Sequence, residues 1–176
     1  MNEISTRWRG VVTHSIDTFN SGARFTGRQT SSNTTWDTAN RAIYVPIVVP
    51  HPVVVRKLWF GNNVTATGNY DLGLYDASGN KILSRGSTVK PASSTEAVWD
   101  CTDTVIGGGI YYMALNSDTA TDGFAAELGP APMCAMEGVL IESLGSVTLP
   151  TTASWSLDQT LAKRPVMGMF LSSIPS

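Results

Sequence analysis

Charge is scarce in this 176-residue chain: Asp, Glu, Lys and Arg make up 15%, with 12 basic residues against 14 acidic ones. Nucleic-acid binding rests on clustered positive charge, and this balance offers no broad field of that sign. No nucleic-acid partner is expected. Histidine is nearly as rare, with only His14 and His51. A hydrolytic triad needs a base held beside a nucleophile and oriented by a carboxylate. No Gly-x-Ser-x-Gly elbow occurs, and His51 sits between Pro50 and Pro52 in a connection between strands. There are two cysteines, Cys101 and Cys134, with no Cys-x-x-Cys or His-x-x-x-His spacing to build a tetrahedral metal site. They read first as two reduced, partly buried thiols, with a disulfide between them as the alternative. Long apolar runs are missing too. The stretch from Ala42 to Val55 is interrupted by Pro46, Pro50, His51 and Pro52 and falls short of the ~20 residues a membrane helix needs. The opening residues Met1 to Arg7 lead straight into polar sequence with no apolar core of a secretory signal, so assembly in a cytoplasm is expected.

Other chemistry is equally poor in signals. No Gly-x-x-x-x-Gly-Lys-Ser/Thr phosphate loop is present, and the triple glycine Gly107-Gly108-Gly109 precedes a strand pattern rather than a helix. Carboxylates are scattered, so no pair suggests itself for glycoside hydrolysis. Asp118 and Asp122 offer oxygen ligands to Ca²⁺, but their spacing is not that of an EF-hand loop. The expectation is a protein that is not an enzyme, with no catalytic residue, no metal and no cofactor.

What is present is enough apolar material for a core, 42% of residues, divided between two unlike stretches. Residues 1–41 are rich in Thr, Ser and Asn and hold five arginines against three acids, a net of +2. Residues 42–176 hold seven bases against eleven acids, a net of −4. The first stretch reads as an extended arm, too polar to anchor a core by itself and needing a surface, either its own body or a neighbour.

From Ala42 onward the pattern is short β-type runs separated by turn residues. Ile43, Val45 and Ile47 alternate, and Pro46 places this strand at an edge or at a bulge. Val53 to Phe60 follows, with Val54, Leu58 and Phe60 read as one face. Tyr70, Leu72 and Leu74 share a face of the next strand, and Asp76-Ala77-Ser78-Gly79-Asn80 suits a hairpin turn in which Gly79 takes the positive φ. Further strands are predicted at Ala97–Trp99, Ile110–Leu115, Ala135–Ile141 and Val166–Leu171. One short helix is predicted at Ser156–Lys163, where Ser156 and Gln159 have capping-box spacing. Many short strands with Gly, Pro and Asn between them signal an all-β, antiparallel sandwich of jelly-roll type. Five tryptophans (Trp8, Trp36, Trp59, Trp99 and Trp155) divide between two roles: Trp59 and Trp99 in the core with the others pinning arm and loops, or a platform for sugar rings.

The runs Ile43-Tyr44-Val45-Pro46, Val53 to Phe60, Asn69 to Gly79 ("NYDLGLYDASG") and Gly108 to Leu115 ("GGIYYMAL") resemble a group of tailed-bacteriophage virion proteins. The likeness covers roughly Ala42 to Leu128, and Leu149-Pro150 with Arg164 to Met169 is similar to that group's closing strand. Members are small jelly-roll or carbohydrate-binding-module-like sandwiches found as head decorations, head fibres or tail tips. The resemblance implies a non-enzymatic virion structural protein, first a capsid (head) decoration protein attached through its N-terminal arm. The alternative is a tail-associated or head-fibre module that adheres to host surface carbohydrate. The implied partners are the major capsid protein or other virion subunits and further copies of the chain, a trimer being the first choice because head symmetry accepts closed rings. Arg7, Trp8, Arg9, Arg24 and Arg28 are the expected contacts with an acidic neighbouring subunit, since Arg and Trp are favoured interface anchors.

Overall fold

The computed structural model describes residues 18–20, 29–63, 65, 67–92, 96–157 and 160–172. Those residues form two β layers, built because nearly every apolar run alternates at period two and so presents one side to a shared core. The larger sheet takes β3 (Arg41–Val49), β5 (Asn69–Asp76), β6 (Lys81–Ser84), β9 (Gly109–Ser117), β11 (Leu140–Ser143) and β12 (Ser156–Leu157) in the spatial order β12-β11-β3-β9-β5-β6. A short β7 (Thr88–Val89) also pairs with β5. Opposite lie β1 (Thr18–Asn20), β14 (Met167–Ser172), β4 (Val53–Gly61) and β8 (Glu96–Ile106) in the order β1-β14-β4-β8. A three-stranded sheet, β13 (Lys163–Pro165), β10 (Gly123–Leu128) and β2 (Gln29–Thr35), extends that second layer. The two pieces meet at Val166, whose carbonyl accepts from Gly61 N at 2.8 Å and whose N–H donates to Ala125 O at 3.0 Å.

All pairings among the described strands are antiparallel, and the architecture is the all-β sandwich expected. Ile43, Val45 and Ile47 from β3 and Tyr70, Leu72 and Leu74 from β5 meet Val55, Leu58 and Phe60 from β4 in one core. The Phe60 and Tyr70 rings touch edge-on across the layers, 5.0 Å between centroids. Cys101 and Cys134 are buried there, unbridged.

Four local expectations are corrected. β3 is an interior strand, between β11 and β9, with no register shift at Pro46, which stands just past the last residue paired with β11. In β4 the inward residues are Val53, Val55, Leu58 and Phe60, because a bulge at Arg56 shifts the phase of the alternation. Val54 therefore belongs to the other face. The segment predicted as a strand at Ala135–Ile141 begins as α1 (Ala131–Met136) and becomes β11 only at Leu140. Pro132 stands in the first turn of α1, and Gly138, at φ +76°, closes it. Gly138 N donates to Ala135 O and Val139 N to Cys134 O, the paired bonds of a Schellman cap. The predicted helix at Ser156–Lys163 is absent at its start: Ser156–Leu157 pairs with Ile141 and Leu140 as β12. The backbone found a strand edge there, and that tertiary pairing overrides two residues of helix propensity.

The portion of the arm that is described lies on its own body. β2 is hydrogen-bonded to β10 and β1 to β14. Trp36 is 3% exposed, packs edge-on against Phe124 at 4.7 Å, and donates its indole N–H to Arg41 O.

Candidate functional site

The outer face of the larger sheet carries the most distinctive chemistry. Along β3 the outward residues are Ala42, Tyr44, Pro46 and Val48; register sets them beside Asn116, Ala114, Tyr112 and Ile110 of β9. Asp71, Gly73 and Tyr75 of β5 continue those rows, and Leu140 and Glu142 of β11 flank them on the other side. A sheet face of this kind usually meets water. Here more than half of it is covered by the segment 144–155, which crosses the face as a strap.

Side chains of the sheet hold the strap by its backbone. Asp71 is fully buried, and its carboxylate accepts from Leu149 N at 2.9 Å, Gly86 N at 2.9 Å and the Ser84 hydroxyl at 2.9 Å. Asn116 Nδ2 donates to Val147 O at 2.8 Å, Tyr75 Oη to Pro150 O at 2.6 Å, and Lys81 Nζ to Leu149 O at 2.8 Å. Glu142 accepts from Tyr44 Oη at 2.7 Å through one oxygen and from Ser154 N at 3.0 Å through the other. Burial pushes both phenols above the usual tyrosine range. For Tyr44 the bond to Glu142 adds to that shift, and for Tyr75 the charge of Asp71 does.

Trp155 ends the strap over an aromatic corner. Its ring lies 4.5 Å from Tyr112, 5.2 Å from Tyr44 and 6.3 Å from Tyr75. Beyond that corner the strap stops, and Val48 (43% exposed) faces Ile110 (52% exposed). Leu157 (60% exposed) stands at the side of the same face, opposite Leu140. Neither Ala42–Val49 nor Gly109–Ser117 contains a charged residue.

With this geometry in view, comparison with known proteins adds nothing to it. No protein-family model, curated protein or solved structure matches the chain.

The expected interface residues Arg7, Trp8, Arg9, Arg24 and Arg28 lie outside the described residues, as does His14. His51 is exposed, and its Nδ1 sits 3.2 Å from Pro52 O. The two loop carboxylates act on backbone: Asp118 accepts from Asn69 N at 2.8 Å and Asp122 from Thr67 N at 2.8 Å. Among the described residues no group of three or more His, Cys, Asp or Glu is placed to hold a metal ion. Trp59 is buried on the outer side of β4, Trp99 packs partly buried against the core, and Trp36 and Trp155 take the places just given.

Two buried ionic features complete the picture. Lys90 is 4% exposed and donates to Asn63 O at 2.8 Å and Thr65 O at 2.7 Å, clamping the backbone that follows β4. Burial holds its ammonium below the usual lysine range, partly opposed by Asp122. Beside it, between Trp36, Tyr70 and Asp122, lies a cavity of about 10 Å³, room for one water. Arg164 on β13 pairs with Glu127 on β10 at 2.8 Å and with Glu137 after α1 at 3.3 Å, tying helix to sheet. Sequence reading missed Asp71, Tyr44, Glu142 and Trp155 as a group. The available signal was Asp71 itself, a charge in the middle of an apolar strand.

Proposed function

We propose that this chain is a non-enzymatic structural subunit of a tailed-bacteriophage virion. Its place is the head, as a capsid decoration protein whose N-terminal arm attaches to the major capsid protein. The observation that carries this reading is how the reactive-type side chains are used. Asp71, Asp118, Asp122, Glu142 and Lys90 each hold backbone groups of a neighbouring loop or strap. Carboxylates and amines so engaged stiffen a sandwich, and stiffness suits a component of a durable particle. The resemblance to virion proteins described above, carried above all by the strand and hairpin Asn69 to Gly79, supports the same reading.

The half-buried pair Tyr112 and Trp155 favours one second reading, a module on a tail or head fibre that adheres to host surface carbohydrate. Immunogold electron microscopy of intact particles, with antibody raised against the purified protein, tests both. Label over the head is the expected result. Label at the tail tip transfers the assignment to adhesion, and unlabelled particles overturn the virion reading.

A further inference from the structure

We infer that the uncovered end of the larger sheet's outer face, at Val48, Ile110 and Pro46, is where a second copy of this chain docks, the copies converging on a rotation axis. This rests on the reading of the chain as an assembling subunit and names the surface that does the assembling.

Three observations select the surface and its occupant. First, the strap covers one end of the face and stops short of the other, so among the described residues apolar side chains stand exposed where the rest of their row is sealed: Val48 at 43% and Ile110 at 52% exposure. These two residues are direct cross-strand partners, so their exposed methyls form one continuous surface. Pro46, in the adjoining row, faces Gly138 of the neighbouring turn. Second, the stretches that carry the surface, Ala42 to Val49 and Gly109 to Ser117, hold no charged residue, and Arg41 at the far end of β3 is paired with Asp37. Residues close to a rotation axis meet their own copies, so a charge at that point meets its like. An uncharged apolar surface is complementary to itself. Third, the rings nearby are packed on one another, which leaves them only partly open. Trp155 stacks at a tilt of 43° on Tyr112 and receives Tyr44 and Tyr75 edge-on. A sugar needs an open ring face, whereas Val48 and Ile110 offer aliphatic surface that a protein neighbour buries well.

The test is sedimentation of the full-length chain over a dilution series, with Ile110→Asp and Val48→Asp beside the parent. Val105→Asp, at a 63% exposed position on β8 in the opposite layer, is the control. All are checked by far-ultraviolet circular dichroism and thermal melting. The parent is expected at an integral multiple of 18.8 kDa, the two face variants at the single-chain mass with the parent's circular dichroism and a single cooperative melt, and the control at the parent's mass. A parent that stays single-chain at every concentration overturns the inference. So does a face variant that keeps the parent's mass, or a control that dissociates as fully. Tryptophan emission that responds to host-envelope glycans in the parent and not in Ile110→Asp, with mass unchanged, gives the face to carbohydrate instead. Should Ile110→Asp dissociate the multimer while particles stay unlabelled by antibody, the virion reading fails and this one stands.

Discussion

Asp71 shows how a single side chain can organise a face of the molecule. A buried carboxylate is costly unless its lone pairs are filled, and here strap, turn and hydroxyl donors fill them. Asp71→Ala removes the acceptor while Leu149 N stays buried and Gly86 N partly so, and hydrogen bonds to a charged group are worth about 1.5–3 kcal/mol each. The variant is expected to lose roughly 3 kcal/mol in urea unfolding; a loss within error of zero would mean that the strap is held without it. The tyrosines give a second prediction with a definite sign. Tyr44 and Tyr75 have folded pKa values raised chiefly by burial, so above the ordinary phenol value of about 10 the unfolded chain releases protons that the folded chain keeps. The stability they contribute is fully present below that pH and is lost as pH rises above it. Urea midpoints measured through this window should fall, and Tyr44→Phe should flatten the fall; an equally steep decline in that variant would count against it. The alternation of Tyr70, Leu72 and Leu74 was readable from sequence because period two is local. The burial of Asp71 was not, because the donor that covers it lies 78 residues further along the chain.

At the scale of elements, legibility followed the same rule. The hairpin at Asp76–Asn80 was plain, since its chemistry is contained in five residues: Asp76 accepts from Ser78 N and Asn80 N, and Gly79 takes φ +86°. The helix Ala131–Met136 also had a local signature, Pro132 at the start and Gly138 past the end, but Val139, Leu140 and Ile141 read as a strand and drew the boundary forward. The bulge at Arg56 left no mark in the residues themselves. The strap had no signature of its own, because 144–155 contains almost no regular structure and is shaped by the sheet beneath it. Gly73 is the place where that dependence is sharpest. A Cβ there would lie 2.9 Å from Leu149 Cδ1 and 2.9 Å from the carbonyl of Leu83, and the second is backbone that cannot swing away. Gly73→Ala is expected to lower the urea midpoint by the equivalent of about 1–3 kcal/mol, the usual cost of overpacking. An unchanged midpoint would show that strap and hairpin yield freely and that the close approach on β5 is not required.

At the scale of the whole molecule, the division into arm and body acquires a finer edge. Composition separates residues 1–41 from the rest, yet β2 and Trp36 fall within that polar stretch and are built into the second layer. Ser- and Thr-rich strands are legible as strands only through their partner, and β2 takes its register from β10. Two truncations separate the roles. Removing residues 1–17 takes away Arg7, Trp8 and Arg9 and leaves every described strand in place. That variant is expected to melt like the full chain and to be missing from purified particles grown with it as the sole source of the protein. Removing residues 1–41 also takes out β2 and the Trp36 ring, and losing a buried ring of this size costs about 3–5 kcal/mol. Against the 5–15 kcal/mol that holds a typical domain, that loss together with an exposed β10 edge should abolish cooperative melting. Particles that still incorporate the shorter truncation would remove attachment from the residues before Thr18 and leave Arg24 and Arg28 to be tested next. Cooperative melting of the longer truncation at the parent's temperature would instead show that the second layer closes without β2 and that Trp36 fills a space the core does not need filled.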